Sequence, residues 1–234
     1  IAGGRGAGGE GRIESLAILP FVNADGDPDT DYLSDEIPAS ITSKLSRLSS
    51  LRVVPRSSAF RYRGSEGNLA AVGRKLDVRA VLTGQVRARG DELSIWAELV
   101  DVAADRQLWG EQYSIKLADI LAFEQNISER ITEALRVTLT ASDRDRLSKK
   151  QTESAEAHRL YLKGRYFWNR RSEEGIRSAI GYFQQAIDAD PAYAIAYTGL
   201  ADSYSILAAF GIAAPREVFP KAKAAASRAL EIDS

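Results

Sequence analysis

The chain has no cysteine and no methionine, and its one histidine is His158. Without cysteine there can be no disulfide, no thiolate nucleophile and no cysteine-ligated zinc. One histidine rules out a His-rich metal site or a histidine dyad. No catalytic residues, cofactor or metal are therefore expected. Charge of one sign is also missing: Lys+Arg is 31 and Asp+Glu is 32, so the net charge is −1. That argues against a nucleic-acid binder relying on bulk positive charge. No apolar run approaches the roughly 18–20 residues needed to span a bilayer; residues 16–22 are only strand-sized. The start also lacks the basic, apolar, small-residue order of a signal peptide. Starting at Ile1 and containing no methionine, the chain reads as an excerpt of a longer protein. An anchor or signal would lie upstream of Ile1, so the compartment, cytoplasmic or periplasmic, stays open.

What is present falls into two halves. Residues 1–12 hold six glycines and almost no core-forming side chains, and they read as a flexible linker. Gly3, Gly6 and Gly9 follow no strand and precede no Gly-Lys-Ser/Thr, so they form no phosphate loop. Residues 13–140 then read as β-α-β-α-β-β-β-α, a mixed α/β domain. Its strands are expected at 15–21, 51–57, 79–87, 93–102 and 107–113. Its helices are expected at 32–48, 69–76 and 117–139, the last being the longest. Pro38 suits the first of these only within its opening turn, with Ser34 or Asp35 as the cap. Asp25, Asp27, Asp29 and Asp31 alternate in a turn-rich loop. A calcium loop would need glycine where Thr30 stands, so a solvated acidic loop is the better reading. Arg89-Gly90-Asp91 sits at a hairpin tip, where a glycine is ordinary turn chemistry. Residues 141–156 are polar and form a linker or an extension of the preceding helix.

Residues 157–234 show only helical periodicity. Ala179, Phe183, Ala186 and Pro191 fit the second half of a tetratricopeptide (TPR) repeat, and Leu160 and Gly164 suit its first helix. Tyr197, Leu200, Ala201 and Tyr204, then Ala222, Ala226, Ala229, Leu230 and Asp233, supply a second repeat. About two repeats are present, and the array is cut short. The fold class is thus a mixed α/β domain followed by all-α TPR hairpins.

The first half resembles the TolB-N-terminal-like (FlgO-like) domain. LAILPFVN at 16–23, GDPDTDYLSDEI at 26–37 and LRVVPRSSAFRYRG at 51–64 carry the likeness. RAVLTGQVRARGDELSIWAELVD at 79–101 and QLWGEQY at 107–113 complete it. YLKGRYFWNRRSEEG at 161–175 resembles the first TPR repeat of the same proteins. Glu36-Ile37-Pro38 departs from the family's more usual Gly-Ile-Thr. The resemblance implies a module attached to bacterial Ser/Thr kinases, class III adenylate cyclases or winged-helix regulators, with the details most like the kinase group. This chain holds no kinase glycine loop, HRD or DFG, so it is not itself the enzyme.

Three candidate constellations emerge from the residues. His158, beside a helix start, is expected to be a surface or capping residue. Ser57 and Ser58 beside Arg56 have no G-x-S-x-G context, so hydrolase chemistry is set aside. Arg52, Arg56, Phe60, Arg61, Tyr62 and Arg63 interleave cations with rings, as single-strand binders do; in a neutral domain they read as a solvated strand and loop.

The function expected is a non-catalytic protein-interaction or sensory module. Its alternatives are the regulatory tail of a kinase or cyclase, or a small-ligand sensor. Its partner would be a protein or peptide in the TPR groove, or a second copy, with no nucleic acid. The groove positions are Tyr161, Arg165 and Trp168 in the first repeat and Thr198, Asp202 and Ser205 in the second.

Overall fold

The computed structural model describes residues 13–233. The glycine-rich linker expected at 1–12 and the terminal Ser234 lie outside them. Strands β1 (Ser15–Ile18), β3 (Arg52–Val53), β4 (Ala80–Arg89), β5 (Glu92–Asp101) and β6 (Arg106–Lys116) form one sheet in the order β3-β1-β4-β5-β6. A short β2 (Val22–Asn23) continues along β4. β1 runs parallel to β3 and β4, whereas β4, β5 and β6 form an antiparallel meander. The mix comes from the connections. Helices α1 (Asp31–Leu45), α2 (Arg56–Ala59) and α3 (Leu69–Leu76) fill the crossovers that parallel strands need, and two residues suffice between β4 and β5. Gly90 takes φ +60 at that turn, a conformation glycine adopts without steric cost.

Alternation places Ala80, Leu82 and Val86 of β4 with Leu93, Ile95, Ala97 and Leu99 of β5 on one buried face. Leu33, Ile37, Ile41 and Leu45 of α1 cover it, together with Ile120, Phe123, Ile127 and Ile131 of α4 (Ile120–Ala134). Each such side chain contributes about 1.5–3 kcal/mol by leaving water. Ala17, Leu19 and Val81 point the other way, against Val54, Ala59, Val72 and Val78 around α2 and α3.

Proline decides several departures from the sequence expectation. The strand expected at 51–57 shrinks to Arg52–Val53. Val54 makes the last ladder bond, to Leu16 O at 2.9 Å. Pro55 has no N–H to continue it, and the chain turns into α2. Pro38 sits in the middle of α1 rather than in its first turn. A proline there leaves the carbonyl four residues back without its helical donor. That carbonyl belongs to Ser34, and it accepts from Phe21 N at 2.9 Å. Phe21 lies in the break between β1 and β2, so the irregular strand supplies the bond that the proline withholds. Neither Ser34 nor Asp35 caps α1; Thr30 precedes it without a side-chain cap bond.

The helix expected at 117–139 is shorter. α4 closes with Arg136 at φ +54, Arg136 N on Glu133 O and Val137 N on Thr132 O. This is a Schellman-type ending without its usual glycine. Thr140 and Asp143 then form a reciprocal capping box that starts α5 (Ala141–Ser148). Leu147 of α5 is buried in the α/β core, so only residues 149–154 bridge to the helical half.

That half consists of α6 (Ala155–Asn169), α7 (Glu173–Ala189), α8 (Ala194–Ala209) and α9 (Pro215–Ile232), paired as two hairpins. Phe183 of α7 is wedged between Gly164 of α6 and Gly199 of α8. A Cβ at either glycine would lie 2.6 Å from its ring. Among the described residues, no helix is long and apolar enough to cross a membrane.

Candidate functional site

The expected groove residues separate into two environments. Tyr161 faces inward, with ring centroids 5.7 Å from Phe183 and 5.5 Å from Tyr193. Burial pushes its hydroxyl above the usual tyrosine range. It packs against both hydrophobic cores and is partly exposed, lining the cleft between the two halves. Arg165 and Trp168 lie further along α6. The Arg165 guanidinium lies 5.0 Å from the Trp168 ring centroid, and that of Arg171 lies 3.7 Å from it. The Trp168 indole N–H is buried and meets no acceptor. On α8, Thr198, Asp202 and Ser205 are exposed. Thr198 and Ser205 donate to backbone carbonyls of their own helix. Burial raises the Asp202 carboxyl, with Arg165 and Arg171 pulling it back. Arg165, Trp168 and Asp202 therefore share one face.

His158 is not the surface cap that its position suggests. It is 5% exposed and stands where the helical half meets the sheet half. Its Nε2 lies 3.1 Å from Glu124 Oε1, and its Nδ1 lies 2.9 Å from the Tyr193 hydroxyl. Burial holds Tyr193 well above the usual range, so its hydroxyl keeps its proton. Glu124 of α4 is 0% exposed. Its Oε2 accepts from Ser40 Oγ at 2.5 Å and lies 3.5 Å from Lys44 Nζ. Burial alone would raise the Glu124 carboxyl. His158, Lys44 and Ser40 more than offset that and hold it below the ordinary carboxylate range. One buried acid of the first half is thus shared by α1, α4 and α6.

A second buried acid, Glu36 of α1, lies 2.6 Å from Arg56 Nη1. Here burial wins over Arg56 and Arg165, and the carboxyl is raised. Asn169 at the end of α6 donates to Glu36 at 3.4 Å. Above it, Lys163 stands 5.3 Å from the Tyr32 ring.

Arg52, Arg56 and Arg63 of the arginine-aromatic stretch are paired within the chain. Arg56 also lies over Phe60 at 4.4 Å, and Arg63 pairs with Asp35. The aspartate loop is likewise tied. Asn23 Nδ2 donates to Asp27 O at 2.9 Å and Asp31 Oδ1 at 2.7 Å, and Arg87 pairs with Asp25 at 3.0 Å.

Between α1 and α4 on one side and α6 with residues 149–153 on the other lies a cleft of about 630 Å³. Glu124, His158, Tyr161 and Arg165 line it. That volume is within the range of small-molecule sites.

The model of the HilA/YgeH-like transcriptional regulator family, second domain, matches residues 12–134, more than half of the chain. The chain belongs to this family. The HilA/YgeH-like second domain thus spans the sheet and its helices as far as the end of α4. A Rhizobium meliloti (strain 1021) protein named "Putative adenylate cyclase 3" is 34% identical over 186 residues, 80% of this chain and 32% of that protein. The chain therefore spans about a third of that relative's length. Among solved structures, TolB from Acinetobacter baumannii is 19% identical, with a TM-score of 0.38 over 53% of this chain and 29% of that one. Lipoprotein GNA1162 from Neisseria meningitidis is 16% identical, with a TM-score of 0.38 over 51% of this chain and 99% of that one. These scores are low, and the family assignment rests on the HilA/YgeH-like match.

Proposed function

We propose that this chain is a non-catalytic interaction and sensory region of a bacterial signalling protein. In this reading, α6–α9 are TPR-type hairpins that receive a protein partner on the Arg165–Trp168–Asp202 face. The observation that carries it is the Trp168 indole N–H. A buried donor without an acceptor costs about 1–3 kcal/mol. The covered Nε1 would meet a peptide carbonyl on this face once the side chains over it shift, and relief of that cost would favour the shift. Arg165 beside it can grip a carboxylate with two bonds. Tyr161 is left out of this contact face, because it packs on both cores and lines the cleft between the halves instead.

The test is affinity capture from the source cell with mass-spectrometric identification, followed by direct titration of the captured partner. Arg165→Glu with Asp202→Arg should lower partner affinity at least tenfold while the helical circular dichroism stays unchanged. Unchanged affinity in that variant would refute the face.

A second reading is favoured by the Rhizobium meliloti relative, whose name points to nucleotide cyclisation. There the chain is the regulatory part of a longer cyclase or kinase. Deleting the segment matching residues 13–233 from such an enzyme should change its basal rate. A rate unaffected by the deletion would count against this reading.

A further inference from the structure

The cleft between the two halves has an apolar wall and a lining that carries both charges, with Asp119, Glu129 and Glu153 among its acids. Ala39 of α1, Leu121 and Ala122 of α4, Leu162 of α6 and Ile195 of α8 supply the apolar lining. Arg47 and Arg146 also line the cleft. The Arg146 guanidinium donates to the backbone carbonyl of Arg47 at 3.4 Å, so the two residues are neighbours. Lys44 and Lys149 are already committed, to Glu124 and Asp233. Arg47 and Arg146 are different: among the described residues, neither forms an ion pair. Asp143 lies in the field of Arg146, but its carboxylate is held by Thr140 in the capping box. Two neighbouring arginines, both lining the cleft and neither ion-paired, favour an arriving anion, and the planar fork of a guanidinium matches the oxygens of a carboxylate or phosphate.

We propose that this cleft is a binding site for a small organic oxyanion, a carboxylate or phosphate carried on an apolar body. Arg47 and Arg146 hold the oxyanion, and the wall of Leu121, Ala122 and Leu162 takes the apolar part. Such a ligand touches α1, α4 and α5 on one side and α6 on the other. It therefore favours the arrangement of the two halves in which the cleft is formed, as any ligand favours the state it binds better. Arg165 borders both this cleft and the Trp168–Asp202 face, but the oxyanion contacts, Arg47 and Arg146, are separate from that face, and the Arg47/Arg146 variant tests them without touching it.

Three probes share one apolar body and differ only in the head: 1-naphthyl phosphate, 1-naphthoate and neutral 1-naphthol. Calorimetric titration of the whole chain should show one-to-one binding of both anions, at least tenfold tighter than the alcohol. The order of the two anions tells a phosphate ligand from a carboxylate one. Arg47→Gln with Arg146→Gln should weaken the anions at least tenfold and leave the alcohol unchanged. Ala122 is an exposed position on α4, so Ala122→Trp should fill the cleft, remove binding of all three and leave the thermal midpoint within a few degrees of the parent. Equal affinity for the alcohol and the anions would overturn the oxyanion assignment. Anion binding that survives both variants would overturn the site.

Discussion

The sheet half and the helical half hold together in different ways. In the first, residues far apart in sequence meet: β1 lies between β3 and β4, and α1 and α4 close over the same sheet face. In the second, contacts are mostly between consecutive helices, and one ring, Phe183, fills the space left by two glycines. A sheet core distributes its burial over many aliphatic side chains. A stack of hairpins concentrates it at a few large-into-small contacts. The second kind should therefore be more sensitive to a single truncation.

Phe183→Ala is the sharpest way to test this. The ring is fully buried, and its removal should cost about 3–5 kcal/mol. In urea, helical signal should be lost well before the sheet's. Leu82→Ala, in the sheet core, should cost about 2–5 kcal/mol and move the sheet's transition instead. A single shared transition in both variants would show one cooperative block and dissolve the contrast.

That outcome turns on the joint, which is the part hardest to read from sequence. Strand alternation and the stripes of α1 and α4 were open to periodicity, as were the small and large residues of the hairpins. Where proline or a left-handed residue intervened, at Pro55 and Arg136, the element ends moved. The joint was different. His158 is separated by 34 residues from Glu124 and by 35 from Tyr193, so no local spacing links them. One signal was there: Glu124 lies four residues after Ile120 and three before Ile127, inside the apolar stripe of α4. Glu36 likewise comes three residues after Leu33. An acid on a buried stripe needs a partner, and that partner turned out to lie on α6 for Glu124 and on α2 for Glu36. For the groove residues, helical spacing put Tyr161 and Arg165 on one line. It could not show that the sheet half covers part of that line.

Breaking the joint should cost less than removing Phe183 but still be plain. Glu124→Ala leaves His158, Ser40 and Lys44 without their shared acceptor. Removing one partner of a buried pair costs about 3–5 kcal/mol, and here the lower end applies because Lys44 can reach water. Glu124→Gln, which keeps an acceptor in place, should cost roughly half as much. Differential loss of amide-exchange protection at α6, with β4 and β5 unchanged, would locate the effect at the joint. Uniform loss would mean that Glu124 supports the sheet core.

Acid gives a further contrast. Glu124 is held below its unfolded value, so the unfolded chain binds more protons in the intervening pH range. Its stabilisation is complete above about pH 4.3, the ordinary glutamate value, and is lost as pH falls through the lower folded value. Glu36 has the opposite sign: its raised folded value means that falling pH relieves it. The acid limb of stability against pH should therefore be shallower in Glu124→Gln than in the parent, and steeper in Glu36→Gln. Parallel limbs in all three proteins would show that neither acid is shifted enough to matter.

The smallest effect concerns a second tie, on the surface. Lys149 Nζ reaches Asp233 Oδ1 at 2.6 Å, joining the segment after α5 to the end of α9. Both side chains are about half exposed. An exposed pair of this kind contributes about 0.2–1 kcal/mol, and salt screens it, since the Debye length falls from about 10 Å at 0.1 M to about 3 Å at 1 M. Lys149→Ala should therefore lower stability slightly in dilute buffer and not at all in 1 M sodium chloride. The cost of Glu124→Ala should hardly change between the two buffers, because water and ions do not reach that carboxylate. Measured side by side, the two variants separate a joint made by burial from one made by charge at the surface. A loss in Lys149→Ala that persists in high salt would mean that the lysine stem packs on α9, and that the bridge is more than an ion pair.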